Sequence, residues 1–403
     1  MKKKQKKWVS ARHRIIRNLA YLILNPYIYF KYHAKITRFK EQGDRQYLIL
    51  MNHQTAFDQF FIGSAFKGPV YYVASEDLFS NGWISRLLQW AVAPIPIKKQ
   101  STDARAVMNC LRVKREGGTI AIAPEGNRTY SGKTEYMKPA IAGLVKALKM
   151  PVAFFRIEGG YGVQPRWSDT TRKGKMRCFV SKVVEPEEYL AMSDEAFFEL
   201  IQKELAVDEG YADASFTGKR KAEYIERAMY VCPKCGLSTF ESRKNRFSCK
   251  KCGWEVEYTD KKELVGVNEP FPFRFVKDWY EYQNDFINAL NPADFTQTPV
   301  YTETCRFSEV VLYKNKKLLD KKAEICLYGD KVVVTKNGER MEMPFSKITV
   351  ATVLGRNKLN LYFEDKVYQC KGGKRFNALK YVHFCYRYKN VEKGDENGKF
   401  LGI

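Results

Sequence analysis

A chain of 403 residues has room for roughly two to four domains, and its 45% hydrophobic, 14% aromatic and 28% charged residues are ordinary for a globular protein. Lysine and arginine outnumber aspartate and glutamate by 69 to 45, a formal charge of +24. Such a field attracts nucleic acid, anionic lipid headgroups or acidic small partners, and charge alone does not choose among them. The sequence shows no solenoid repeat and no low-complexity tract beyond its N-terminal lysines.

Lys2, Lys3, Lys4, Lys6, Lys7, Arg12, Arg14 and Arg17 all precede the first acidic residue, Glu41. The apolar stretch Ile15–Phe30 is broken by Arg17, Asn18 and Asn25-Pro26, and no small-residue cleavage site follows. It therefore reads neither as a secretory signal nor as a bilayer span. Wound as a helix, Trp8–Leu24 gathers Trp8, Ala11, Ile15, Ile16, Leu19, Leu22 and Ile23 on one face. Ser10, His13, Arg14, Arg17 and Asn18 fall opposite. A basic amphipathic helix behind a lysine cluster suits an anionic membrane surface, each cation contributing about 1 kcal/mol. Residues 1–40 are thus expected to hold the protein peripherally, as a monotopic protein, on the cytoplasmic side of the cell membrane. The alternative is a first helix packed on its own domain. Ten cysteines without an export signal point to a reducing compartment.

Residues 41–205 alternate short apolar runs with helical patterns. Tyr47–Met51, Val70–Ala74, Thr119–Ala123, Val152–Ile157 and Cys178–Val184 read as strands, with Ala104–Arg115 and Ala140–Leu148 as helices. The alternation predicts an α/β domain, one sheet flanked by helices. Pro186–Arg227 is polar and reads as helical, its portion 206–228 serving as a linker.

The strand at Tyr47–Met51 runs into Asn52-His53-Gln54-Thr55-Ala56-Phe57-Asp58. Five positions along one helix would turn His53 and Asp58 apart. They meet only if His53 lies on a turn before a helix beginning near Thr55. A carboxylate on one ring nitrogen then leaves the other as a general base; a structural His–Asp pair is the plainer reading. About seventy residues on, Thr119–Ala123 leads into Pro124-Glu125-Gly126-Asn127-Arg128-Thr129. There Gly126 permits close backbone approach and Arg128 offers a fork of donors suited to phosphate.

Together NHQTAFD and PEGNRT resemble blocks I and III of the PlsC-like glycerolipid acyltransferases, the 1-acyl-sn-glycerol-3-phosphate acyltransferase family. The resemblance covers roughly residues 20–190. It implies a catalytic pair, His53 and Asp58, that activates an acceptor hydroxyl against an acyl-CoA or acyl-carrier-protein thioester. It also implies an acceptor phosphate site in which Lys99 and Arg128 hold the phosphate and Glu125 and Gly126 shape the site. Lys99 stands where the family's second block carries arginine, and Asn127 replaces the usual threonine of block III. Of the two prolines expected in block IV, only Pro151 is present. These departures leave the acceptor headgroup open. The most direct expectation is conversion of a 1-acyl-sn-glycerol-3-phosphate to phosphatidic acid, within phospholipid biosynthesis. No G-x-S-x-G elbow occurs, which argues against a serine hydrolase.

Cys232-Pro-Lys-Cys235-Gly and Cys249-Lys-Lys-Cys252-Gly are two C-x2-C knuckles whose four thiolates suit a structural zinc ion of the ribbon kind. Residues 229–260 are read as this ribbon, and Cys110, Cys178, Cys305, Cys326, Cys370 and Cys385 as small core residues. Residues 261–295 follow as a helical connector. From 296 to 391 the texture is all-β. Glu324–Tyr328, Lys331–Thr335, Lys347–Leu354, Lys358–Phe363 and Val367–Cys370 are strand-like, Asn337-Gly338 and Gly372-Gly373 are hairpin signals, and Phe376–Arg387 is helical. Strands closing on one helix resemble a small PH-like or GRAM-like domain, and 392–403 reads as a tail. Basic side chains on the ribbon leave a nucleic-acid-binding protein as a rival reading, and the imperfect blocks leave a catalytically silent membrane adaptor as another. Nucleic acid is not the expected partner; a lysophospholipid, the anionic membrane surface and an acyl carrier protein are.

Overall fold

Apolar runs in the N-terminal half become the strands of one sheet: β1 (Ala34–Ile36), β2 (Leu48–Met51), β3 (Val70–Ser75), β4 (Ile95–Ile97), β5 (Thr119–Ile122), β6 (Val152–Glu158) and β7 (Met176–Val184). Their order is β1-β7-β6-β2-β5-β3-β4. Every pairing is parallel except that between β6 and β7. The computed structural model describes residues 7–97, 104–211, 214–311 and 314–395. It separates into a first unit, the chain up to Pro165 with Thr171–Glu209, and a second, Arg166–Thr170 with the chain from Gly210.

In the first unit β2 is central, between β6 and β5, and all four of its residues are buried. Such continuous apolar character marks a parallel strand covered on both faces. The first unit's helices are α1 (Ala11–Tyr32), α2 (Asp58–Ala65), α3 (Trp83–Ala91), α4 (Ala104–Arg115), α5 (Ala140–Leu148), α6 (Gly160–Val163), α7 (Pro186–Leu190) and α8 (Asp194–Leu205). α4, α5 and α8 pack near β4, β5 and β6, while α1 and α2 pack by β1 and β7. Ser193 caps α8 by accepting from the Ala196 amide at 3.1 Å. The helical expectation for Pro186–Arg227 holds only as far as Leu205. Beyond it, Gly210, Gly218 and their polar neighbours favour turns, until a short 3-10 turn at Ile225–Arg227.

α1 departs from expectation in an informative way. It starts after Trp8 and continues through Pro26. Trp8 packs on the core instead of joining an exposed face, its indole donating to the Ala93 carbonyl at 2.8 Å. The side turned to the domain is the polar one. His13 Nδ1 meets the Tyr71 hydroxyl at 3.0 Å, Arg17 donates to the carbonyls of Gly63 (2.6 Å) and Phe66 (2.8 Å), and Tyr21 donates to that of Phe60 (3.1 Å). Ile15, Leu19, Leu22 and Ile23 are 60–76% exposed. The helix does pack on its own domain, but with its apolar stripe facing outward.

In the second unit the strands are β8 (Val231–Cys232), β9 (Gly236–Leu237), β10 (Phe240–Arg243), β11 (Arg246–Cys249), β12 (Glu255–Tyr258) and β13 (Leu264–Gly266), followed by α9 (Val276–Ala289). β10 to β13 form an antiparallel meander. The connector expected as helical thus opens with a strand, and its helix is anchored. Trp279 of α9 stacks on Phe247 with centroids 5.4 Å apart and donates to the Val231 carbonyl at 2.8 Å.

β14 (Tyr301–Glu309), β15 (Lys317–Leu327), β16 (Lys331–Lys336), β17 (Glu339–Pro344), β18 (Ile348–Leu354), β19 (Lys358–Phe363) and β20 (Lys366–Gly372) form an antiparallel sheet ordered β17-β16-β15-β14-β20-β19-β18. α10 (Leu379–Glu392) packs on β18 and β19. β14 and β17 do not stand out in the sequence, because their charged residues mask the alternation that sheet pairing imposes. Asn337-Gly338 does turn a hairpin, both residues having positive φ. Gly372-Gly373 does not, since no strand follows it. A Cβ on Gly372 would lie 2.1 Å from the Phe376 ring, so glycine is needed for that packing instead.

A Cβ built on Gly63 would lie 1.8 Å from the Tyr21 hydroxyl oxygen. Gly63→Ala is expected to destabilise the protein by about 1–3 kcal/mol by displacing α1. Urea unfolding measures this, and adding Tyr21→Leu is expected to recover part of the loss.

Candidate functional site

β2 and β5 are neighbouring parallel strands in which Leu50 faces Ile122. Three residues further along each chain are His53 and Glu125, so both motifs emerge at the same edge. This is the carboxyl end of the strands, where open α/β sheets place their ligands. Backbone and side chains bind the two loops together. The His53 amide donates to Glu125 Oε1 at 2.8 Å, and the Thr129 amide donates to the His53 carbonyl at 3.3 Å. Asn52 fastens the same turn to β6, donating to the Ile157 carbonyl and accepting from its amide, both at 2.8 Å.

His53 stands in the turn as expected, but α2 begins at Asp58, three residues later than Thr55. Asp58 is fully buried and reaches back over the turn. It accepts from the Gln54 amide (2.7 Å), the Thr55 amide (2.9 Å) and the Thr55 hydroxyl (2.6 Å). Its Oδ2 also lies 2.7 Å from His53 Nδ1. A carboxylate set among donors makes Nδ1 the protonated ring nitrogen, directing the lone pair to Nε2. The His53 side chain is 24% exposed, so the ring reaches the surface while its orienter does not.

The resemblance gives Glu125 a part in shaping the phosphate site. Its second oxygen accepts from the Glu135 amide at 2.8 Å, so each carboxylate oxygen is held by a backbone amide. It shapes the loop and positions His53. Burial pushes its carboxyl up to about 8, against the pull of those two amides, with Glu135 and Asp58 adding to the rise. Gly126 has φ +68, the left-handed region that glycine adopts without strain, and a Cβ there would meet nothing within 4 Å. Arg128 is buried in the same loop, and so is Asn127. Lys99 lies outside the described residues, so its place in the site is not part of this geometry. Sequence reasoning missed Asn52, Thr55 and Glu135 as supports. Asn52 and Thr55 flank His53 and were within reach, whereas nothing in the sequence marks Glu135.

The four knuckle cysteines converge in the second unit, all four sulfurs within 4.8 Å of one another. Cys232 and Cys252 are 3.7 Å apart, Cys235 and Cys249 3.6 Å. A tetrahedron of thiolates about 2.3 Å from a zinc ion has edges near these lengths. Gly236 and Gly253, with φ +74 and +75, make the turn that closes each knuckle. The donor set therefore fits a tetrahedral, sulfur-loving metal ion. Of the remaining cysteines all are buried except the half-buried Cys326.

Comparison with protein families matches residues 31–157 to the family described as Acyltransferase. That span includes His53, Asp58, Glu125, Gly126 and Arg128. No curated protein matches the chain. Among solved structures, the chain is similar to the crystal structure of the 1-acyl-sn-glycerophosphate (LPA) acyltransferase PlsC from Thermotoga maritima. The two share 21% identity, and the match covers 48% of this chain and 75% of that one with a TM-score of 0.38.

Because the folded Glu125 carboxyl titrates above its ordinary 4.5, it holds a proton that the unfolded chain has lost between 4.5 and about 8. Its contribution to stability is complete below 4.5 and is lost as pH rises through that window. Glu125→Gln cannot titrate, so the wild type is expected to lose stability relative to the variant over the same range. Denaturant unfolding of both proteins across that pH range measures the slope.

Proposed function

Taking residues 31–157 as an acyltransferase-family domain, we propose that the chain is a membrane-surface O-acyltransferase that esterifies the free hydroxyl of a lysophospholipid. The acceptor that fits best is a 1-acyl-sn-glycerol-3-phosphate, giving phosphatidic acid. The observation that carries this reading is the grip of a buried Asp58 on His53 Nδ1 at 2.7 Å, beside the loop that bears Arg128.

In this mechanism His53 Nε2 takes the proton from the acceptor hydroxyl as its oxygen attacks the carbonyl carbon of an acyl-CoA or acyl-carrier-protein thioester. Asp58 holds the ring and stabilises the imidazolium. Collapse of the tetrahedral intermediate breaks the carbon–sulfur bond, and the imidazolium returns the proton to the leaving thiolate. The ester is formed and His53 is neutral again, without an acyl-enzyme. Arg128 binds the acceptor phosphate through its planar fork, and Lys99 adds a point charge. The loop carrying Arg128 is shaped by Gly126 and Glu125.

Membrane attachment is supported by two neighbouring helices of the first unit. α1 exposes Leu19, Leu22, Ile23 and Phe30, and α3, packed against it, exposes Trp83, Leu87 and Trp90. Arg12 lies against the Trp90 ring between them. Large apolar and tryptophan side chains flanked by cations suit insertion at the headgroup boundary. Among the described residues no helix is long and apolar enough to cross a membrane. The cysteine cluster is assigned a structural zinc ion, which with four thiolates has no open position for catalysis.

His53→Ala is expected to lower turnover by about a thousandfold or more while the fold is kept. Arg128→Ala is expected to raise KM for lysophosphatidate and to leave an unphosphorylated monoacylglycerol unaffected. Unchanged turnover in His53→Ala would remove the dyad from the mechanism. Leu19→Glu with Ile23→Glu is expected to weaken sedimentation with anionic vesicles at least about tenfold. Cys249→Ser is expected to reduce bound zinc, read by elemental analysis, and to lower the unfolding midpoint of the second unit.

A further inference from the structure

A row of cations in the second unit is not accounted for by acyl transfer. Arg306 on β14 is the cross-strand partner of Lys371 on β20. On its other side the register slips. Cys305 pairs with Ala323 and Phe307 with Asp320, so Lys321 and Lys322 together oppose Arg306. Such a bulge re-aims side chains and recurs beside binding sites.

Four like charges therefore stand side by side across three strands, all exposed. Like charges directly opposite one another destabilise a sheet. Elsewhere in the same sheet cations meet acids, as Lys331 does Glu342 at 2.9 Å and Lys336 does Glu339 at 2.7 Å. None of the four in this row forms an ion pair with a described acidic side chain. They line an open cavity of about 300 Å³, together with Thr304 and Gly373. A Cβ on Gly373 would meet nothing within 4 Å, so the backbone there is open to approach.

We infer that this cavity binds a phosphomonoester group. A phosphomonoester brings nearly two negative charges and three acceptor oxygens, where a carboxylate brings one charge and two. Arg306 grips two oxygens with its fork, the lysines supply point charges, and the Thr304 hydroxyl donates to the third. Binding relieves the repulsion along the row. A lipid headgroup and a soluble phosphate compound both present this group, and their separation is experimental.

The test uses the full chain with two probes: glycerol 3-phosphate, and phosphatidylcholine vesicles with or without phosphatidate. Hydrogen exchange of peptides from β14, β15 and β20 reads the strands that line this cavity, and the variants below tie any protection to it. Protection by glycerol 3-phosphate assigns a soluble ligand, and protection only by phosphatidate vesicles assigns a lipid headgroup. In either case Arg306→Ala with Lys371→Ala is expected to weaken the protecting probe at least about tenfold. Lys331→Ala with Lys336→Ala, an equal loss of charge on the same sheet, is expected to change it less than about twofold. Absence of protection with both probes, or an equal effect of the two double variants, would overturn the inference.

Discussion

The bond from the His53 amide to Glu125 holds the candidate site in one piece. It joins the ends of two parallel strands that otherwise part company after Leu50 and Ile122. The carboxylate that accepts it also holds the Glu135 amide, so the loop bearing Arg128 is tied to the turn bearing His53. Asn52 closes the other side of that turn onto β6. Only with the backbone so constrained does Asp58, reaching back from the start of α2, meet the imidazole at Nδ1. The burial that raises the Glu125 carboxyl also keeps water from competing for those amides.

A second constraint runs through α1. Polar side chains that would usually face water are consumed by carbonyls of the domain, Arg17 on Gly63 and Phe66, and Tyr21 on Phe60. The helix cannot roll to bury Leu19 and Ile23 without breaking these bonds and leaving buried carbonyls unpaired. Its apolar stripe is left outward, beside the exposed Trp83, Leu87 and Trp90 of α3. The proposed chemistry and the proposed membrane attachment thus fall in one unit.

Much of this was legible in the residues. β2, β3, β5 and β6 announced themselves as apolar runs, α4 and α5 as periodic segments with the bounds the structure gives them, and the knuckles by cysteine spacing, whereas β1 and β4 are too short to stand out. His53 and Asp58 read as a pair through the resemblance of the two motif blocks, on the condition of a turn between strand and helix, and that turn is present. What was hidden depends on contacts distant in sequence. Glu125 reads in the sequence as shaping the phosphate site, and nothing local shows that its oxygens are held by the amides of His53 and Glu135. The helical face predicted for α1 holds for Ile15, Leu19, Leu22 and Ile23 but not for Trp8, and which face meets the domain is set by carbonyls on and just after α2. The bulge that sets Lys321 and Lys322 against Arg306 is invisible until β14 and β15 are paired. Lys99, outside the described residues, rests on the sequence alone.

The central claim is that the His53–Asp58 pair transfers an acyl group to a lysophospholipid hydroxyl. It is tested most directly by offering the purified protein a panel of lysolipids with acyl-CoA and with acyl carrier protein thioesters, and reading products by mass spectrometry. The account predicts a diacyl product from a phosphate-bearing lysolipid with at least one donor, lysophosphatidate foremost. No product from any combination, beside a control acyltransferase that works under the same conditions, would contradict it.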